Sequence, residues 1–204
     1  MILHRWISPL FLLLLFHFGN SGFANASEYV IDPDHTSIHF RIGHFHFSSV
    51  QGRFNRISGK FTFDANMPEA SEVTVVVDVG SIDTNHQARD NHLRDPSYFN
   101  VTRFPNAVFR SKRIVVTGAR KGLMTGGLTI LGVTVPVTLE VVFNGIAKHP
   151  LGKKFAKYRG ITVAGFSART TISRSSFGMT NEIGEKGDKA ELTIEVEGWR
   201  HRGD

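Results

Sequence analysis

Along most of this chain apolar and polar residues alternate one by one, and a period of two commits it to β-strands. Ile38-His39-Phe40-Arg41-Ile42 and Lys60-Phe61-Thr62-Phe63-Asp64 each put apolar side chains on one face and polar ones on the other, which a pleated strand does and a helix does not. Val73-Thr74-Val75-Val76-Val77-Asp78-Val79 is almost wholly β-branched and suits the pleated surface. Leu128-Thr129-Ile130 continues past Gly132 into Val135–Val141, and Ile161–Phe166 and Leu192–Glu197 complete the set. Turn signals at Asp64–Pro68, Asn144-Gly145 and Gly187-Asp188 separate the runs. Strands at this spacing predict an antiparallel sandwich or barrel. Phenylalanine supplies 17 residues, which suits a greasy interior. An eight-stranded barrel lies near the size at which side chains either fill the lumen or leave room for one ligand. Alternation does not choose between those two.

One segment breaks the pattern. His86 to Asp95 is polar, lacks β-branched residues and is stopped by Pro96. It predicts a short helix, with Thr84 or Asn85 as N-cap.

The first residues stand outside the fold. His4 and Arg5 precede the apolar run Leu10–Phe16, and Ala24-Asn25-Ala26 follows. This is the pattern of a secretory signal peptide over residues 1–26, with cleavage expected between Ala26 and Ser27. The apolar run is shorter than the roughly 20 residues of a membrane-spanning helix. Residues 27–204 then form a single domain. The chain has no cysteine, so neither a disulfide nor a lipid-modified cysteine is expected. Its net charge of +6 favours transient contact with an anionic membrane surface or a phosphate-bearing ligand. Nucleic acid is a poor partner for an exported protein. The cluster Lys153-Lys154-Phe155-Ala156-Lys157-Tyr158-Arg159 reads as a solvated hairpin loop.

Catalytic signatures are missing. There is no Gly-x-Ser-x-Gly elbow and no phosphate-cradling glycine loop, although an unmarked Ser, His and Asp triad stays open. His35, His39, His44 and His46 lie close in sequence, with His44 and His46 expected on one strand face. They carry neither the partners nor the spacing of a metal site, and no metal or catalytic residue is assigned.

Five motifs follow in order: His35-Thr36-Ser37, Ser81-Ile82-Asp83-Thr84, Arg89-Asp90-Asn91-His92-Leu93-Arg94, Gly127–Thr134 and Arg174-Ser175-Ser176-Phe177-Gly178-Met179. Together they resemble the YceI-like family of periplasmic polyisoprenoid-binding proteins. The resemblance implies an all-β, lipocalin-like extended antiparallel barrel of about eight strands, with a short helix near one end. It also implies non-catalytic binding, transport or storage of a long-chain polyisoprenoid, of isoprenoid quinone or polyprenyl phosphate type, with no cofactor besides that lipid.

On this reading Arg89, Asp90, His92 and Arg174 meet the head group, or else Asp90 ties the helix down by pairing with an arginine such as Arg174. Alternation assigns the tail to Phe40, Ile42, Phe61, Phe63, Val75, Val77, Phe109, Leu128, Phe166, Phe177 and Met179. Phe177 and Met179 fit core packing equally, and Gly178 suits a turn with positive φ. The sequence departs from the family at Ser176, where Asp is common. Leu131 and Val135 replace two basic residues, and His46 stands where glycine is frequent. Three other readings stay open: a hydrolase or other enzyme acting on an amphiphilic lipid, a ligand-free β-sandwich interaction module, and an OB-type nucleic-acid barrel. Exposed sheet edges also leave a homodimer open.

Overall fold

The structure is a computed structural model whose described residues are 26–200. The expected leader lies outside them, apart from Ala26. The chain opens with strands β1 (Ser27–Ile31), β2 (Ser37–His44), β3 (Ser48–Phe54) and β4 (Ile57–Phe63), followed by β5 (Val73–Asp78) and the short β6 (Ile82–Asp83). Helix α1 (Gln87–Arg94) leads into β7 (Asn106–Gly118), β8 (Lys121–Ile130), β9 (Val133–Lys148) and β10 (Thr162–Ser173). The single turn α2 (Ile183–Lys186) precedes β11 (Lys189–Arg200).

The strands join in the order β1-β4-β5-β7-β8-β9-β10-β11, and β11 pairs back onto β1 at Val30↔Trp199 and Ile31↔Gly198. The result is an eight-stranded closed antiparallel barrel, as the resemblance predicts; the alternation leaves sandwich and barrel both open. Closure leaves no free edge in the ring. The first half of β11 instead pairs with β2, which carries β3 and then β6. This annex continues the wall at one end.

The register separates the two ends. The β2–β3 turn, the β8–β9 turn, the β10–β11 connection and α1 cluster at one, the α1 end. The β4–β5 turn, the β7–β8 hairpin, the β9–β10 loop, Ser27 and Arg200 lie at the other.

Two expectations about local structure are corrected. Asn144-Gly145 is not a turn: it lies within β9, where the register to β10 skips Asn144 between Phe143 and Gly145. The dipeptide is a β-bulge, which re-aims a strand without ending it. The α1 cap is neither Thr84 nor Asn85. His86 caps the helix, its ring nitrogen accepting from the Arg89 N–H at 3.2 Å. Asn85 has φ +60°, unlike the extended backbone of a cap residue, and the Thr84 hydroxyl is taken by Asp90. Gly178 has φ +82°, as the turn requires.

The inward faces form the core. Tyr29, Ile31, Phe61, Phe63 and Ala164 make one buried cluster towards the end opposite α1, with Phe143 and Phe166 packed on it. Phe63, Phe143 and Phe166 meet with centroids 5.0–5.4 Å apart. Glycines let rings lie against the wall. A Cβ on Gly198 would come within 2.3 Å of the Phe61 ring, and one on Gly52 within 2.4 Å of Phe40. The edges of these two rings thereby occupy the space over the glycines.

Candidate functional site

The lumen contains a cavity of about 470 Å³. It runs along the barrel, from His44, Arg174 and Lys186 at the α1 end to Ala65, Pro68, Arg120 and Lys121 at the other. All eleven residues assigned to the tail by alternation line it. For Phe61, Phe63, Val75, Val77, Phe109, Leu128 and Phe166 the cause is geometric, since in a closed barrel every second side chain of each strand points inward. Phe40 and Ile42 reach the lumen from β2 of the annex, and Phe177 and Met179 from the turn after β10. Phe177 and Met179 are both buried and both on the wall, so core packing and lining coincide there. The hollow apolar lumen also sets aside the filled β-sandwich.

Polar groups gather at the α1 end. Arg89, His92 and Leu93 share one face of α1, being three and four residues apart, and all three line the cavity. Arg89 is held from behind: Nε donates to Thr84 Oγ1 and Nη2 to the Thr84 carbonyl, both at 2.8 Å. Its Nη1 has no protein partner among the described residues. Arg174 is buried, and its guanidinium donates to the Gly187 carbonyl (3.2 and 2.7 Å) and the Asn181 carbonyl (3.3 Å). It tethers the β10–β11 connection while placing a positive charge on the wall.

Asp90 is a correction. It does not line the cavity and does not pair with Arg174. One residue on from Arg89, it is turned by about 100° around the helix and points into the β6–α1 turn. There Oδ1 accepts from the Thr84 N–H at 2.9 Å and from its hydroxyl at 2.5 Å.

Two wall residues that sequence reasoning missed complete this end. Tyr98 is buried and donates its hydroxyl to Glu182, to which Lys186 also donates. Lys186 lies 3.3 Å from the Tyr98 oxygen, and the His92 ring meets Tyr98 at 5.0 Å. The Lys186 hydrogen bond, then that of Tyr98, holds the Glu182 carboxyl below its ordinary value. Burial, then Glu182, pushes the Tyr98 phenol up. Burial pulls the Lys186 ammonium down, but its bonds to Glu182 and Tyr98 outweigh this and leave it raised. The trio therefore stays charged as Lys⁺ and Glu⁻ with a neutral phenol. The i,i+4 spacing of Glu182 and Lys186 was the one sequence signal for it.

The opposite end is sparser. Arg120 donates Nε to the Phe143 carbonyl at 2.7 Å. Ser71 Oγ, on the same wall, is buried without a hydrogen-bond partner among the described residues.

Among the described residues, one cluster has donor atoms within reach of a shared ion: Asp32, His35 and Glu197, within 4.8 Å of one another. The Asp32 carboxylate already accepts from the Asp34 N–H at 3.0 Å and faces His35 Nδ1 at 2.5 Å, which accounts for it as a turn brace. His39, His44 and His46 do not join it. His44 ends β2 and His46 sits in the turn beyond at φ +60°, so the two do not share a strand face as expected.

The YceI-like domain family matches residues 29–198. A UPF0312 protein of Ectopseudomonas mendocina (strain ymp) is 39% identical over 181 residues, covering 88% of this chain and 91% of its own. The crystal structure of the Campylobacter jejuni YCEI protein is similar, with TM-score 0.66 and 32% identity over 78% of this chain and 90% of that one. A polyisoprenoid binding domain from Saccharophagus degradans, implicated in plant cell wall breakdown, shares the fold with TM-score 0.61 and 12% identity, covering 87% and 99%.

Proposed function

The chain belongs to the YceI-like family, and from that premise we propose that it is a periplasmic, non-catalytic carrier or store for one long-chain polyisoprenoid. The observation that carries this reading is the cavity: about 470 Å³ of lumen, mostly apolar along the barrel, with Arg89, His92, Arg174 and Lys186 gathered at the α1 end and Arg120 and Lys121 at the other. Its shape matches an amphiphile with a long tail and a compact head. That the Saccharophagus degradans neighbour is a polyisoprenoid binding domain supports the ligand class. The leader pattern at residues 1–26 supports the compartment.

Energetics assign the two parts their roles. Burying one five-carbon unit gains roughly 3–4 kcal/mol at about 0.8 kcal/mol per CH₂. The gains do not sum freely, because ordering the chain costs entropy and affinities saturate. A few buried units still outweigh any single polar contact. The tail supplies affinity along Phe40, Phe61, Phe109 and Phe166, and the α1 end selects the head. An anionic or strongly accepting head, a polyprenyl phosphate or a quinone carbonyl, meets Arg89 Nη1 and the charges of Arg174 and Lys186 there.

Uptake by the delipidated protein tests the reading. A polyprenyl phosphate, an isoprenoid quinone and a saturated fatty amide are titrated in turn by calorimetry. Saturable binding of one isoprenoid per chain, tighter than the fatty amide, is expected. No uptake of either isoprenoid overturns the reading, and turnover of any of the three replaces it with the enzyme alternative.

A further inference from the structure

The β9–β10 loop, expected from sequence to be a solvated hairpin connection, is a built object that takes no part in the cavity. Its two ends are tied by the His149 N–H to the Ile161 carbonyl at 3.0 Å, and 3₁₀ turns occupy Pro150–Lys153 and Ala156–Tyr158. The His149 ring stacks on Tyr158 at 4.0 Å, and Trp199 of β11 stands edge-on to both at 5.8 Å. Gly152 packs so close that a Cβ there would lie 2.8 Å from the Tyr158 carbonyl oxygen. A loop meant only to connect two strands needs none of this.

The platform presents a mixed surface. Leu151 and Phe155 are 42% and 43% exposed, and Lys153, Lys154, Lys157 and Arg159 are exposed around them. No acidic residue occurs from His149 to Gly160; Asp34, on the β1–β2 corner, is the acid that acts on Lys157. Lys154 and Lys157 hold their ammonium groups over the rings of Phe155 and Tyr158, at 5.3 and 4.5 Å. Apolar side chains that gain by leaving water sit among cations that must keep a polar partner. An anionic bilayer meets both needs at once: the apolar pair enters below the head groups and the cations stay among them.

We propose that the β9–β10 loop is a membrane-docking element that seats the protein on an anionic lipid bilayer. It deepens the carrier reading and rests on it for its purpose. The loop leaves the barrel at the end where Phe61, Phe63 and Phe143 lie, so docking turns this end of the cavity, opposite α1, towards the membrane.

Co-sedimentation with vesicles tests it, using phosphatidylcholine alone and phosphatidylcholine mixed with phosphatidylglycerol. The wild-type protein is expected to bind only the mixed vesicles. Each cation near an anionic surface contributes about five-fold in partition, so the triple variant Lys153→Gln, Lys154→Gln, Lys157→Gln falls by roughly a hundred-fold. Leu151→Ser with Phe155→Ser weakens vesicle binding while leaving retention on a soluble polyanion, dextran sulfate, unchanged. Equal vesicle binding by the wild-type and triple-variant proteins overturns the proposal. So does loss of dextran sulfate retention in the triple variant with vesicle binding untouched by the Leu151 and Phe155 changes, which assigns the loop to a polyanion instead. Isoprenoid uptake is measured on the same samples. A protein that binds vesicles but takes up no lipid retains the docking loop and loses the carrier reading.

Discussion

The buried carboxylate of Asp90 accepts both the backbone N–H and the hydroxyl of Thr84, at 2.9 and 2.5 Å. Thr84 in turn accepts from Arg89 Nε through that hydroxyl and from Arg89 Nη2 through its carbonyl. Asp90 therefore acts on the cavity at one remove, fixing the turn that fixes the arginine. Asp90→Ala leaves a buried Thr84 N–H unpaired, a loss of about 1–3 kcal/mol, which thermal or urea unfolding measures. Thr84→Val keeps the shape but removes the hydroxyl from both neighbours. It is expected to reduce head-group discrimination more than affinity for the tail.

Arg89 holds, in Nη1, a donor with no protein partner among the described residues. With Arg89→Ala, affinity for an anionic isoprenoid is expected to drop roughly 10- to 100-fold, the worth of a hydrogen bond to a charged group, while affinity for a head-less isoprenoid hydrocarbon is unchanged. Calorimetry with the two ligands checks this. Equal losses for both would show that Arg89 shapes the wall and does not select the head. Arg120→Ala, at the far end of the cavity, is the control and leaves head-group preference as it was.

Gly52 sits opposite Phe40 in the β2–β3 register, and its missing Cβ makes room for the ring. Gly52→Ala pushes Phe40 off the wall and into the lumen. The substitution is expected to cost about 1–3 kcal/mol of stability through overpacking and to lower the lipid recovered per mole of folded protein. A destabilised protein with full occupancy would place the tail elsewhere than beside Phe40.

His35, bonded to Asp32, couples stability to pH. The hydrogen bond to Asp32, opposed by burial and helped by the charges of Asp32, Glu197 and Asp34, raises the His35 imidazole above its ordinary 6.5. A raised value means the folded state holds this proton more tightly than the unfolded chain. The contribution to stability is then complete below pH 6.5 and fades as pH rises through the raised value. An NMR titration of His35 is expected to show the elevated midpoint, and Asp32→Asn to bring it back down.

Much of this was legible before folding, for a physical reason. A strand buried on one face must alternate, so Phe40 and Ile42, Phe61 and Phe63, and Val75 and Val77 announce both their strands and their inward direction. The same rule cannot reveal the hollow, because filled and empty barrels alternate alike. Where a ring finds room depends on cross-strand pairing, such as Gly52 against Phe40, which no local window contains. The α1 helix was legible from its lack of β-branched residues, yet its facing was not. Arg89, Asp90 and His92 look alike on paper, and only the packing of α1 on the turn at Thr84 turns Asp90 away. Tyr98 and Lys186, 88 residues apart in sequence, meet because barrel closure brings the α1 and β10–β11 segments to one end.

Native mass spectrometry of the protein purified from its own host, before and after organic extraction, tests the central claim most directly. The account predicts one lipid per chain in the native sample, released by extraction and belonging to a ladder of masses spaced by one isoprene unit. A native protein that carries no lipid, and stays empty after incubation with isoprenoids, would contradict it.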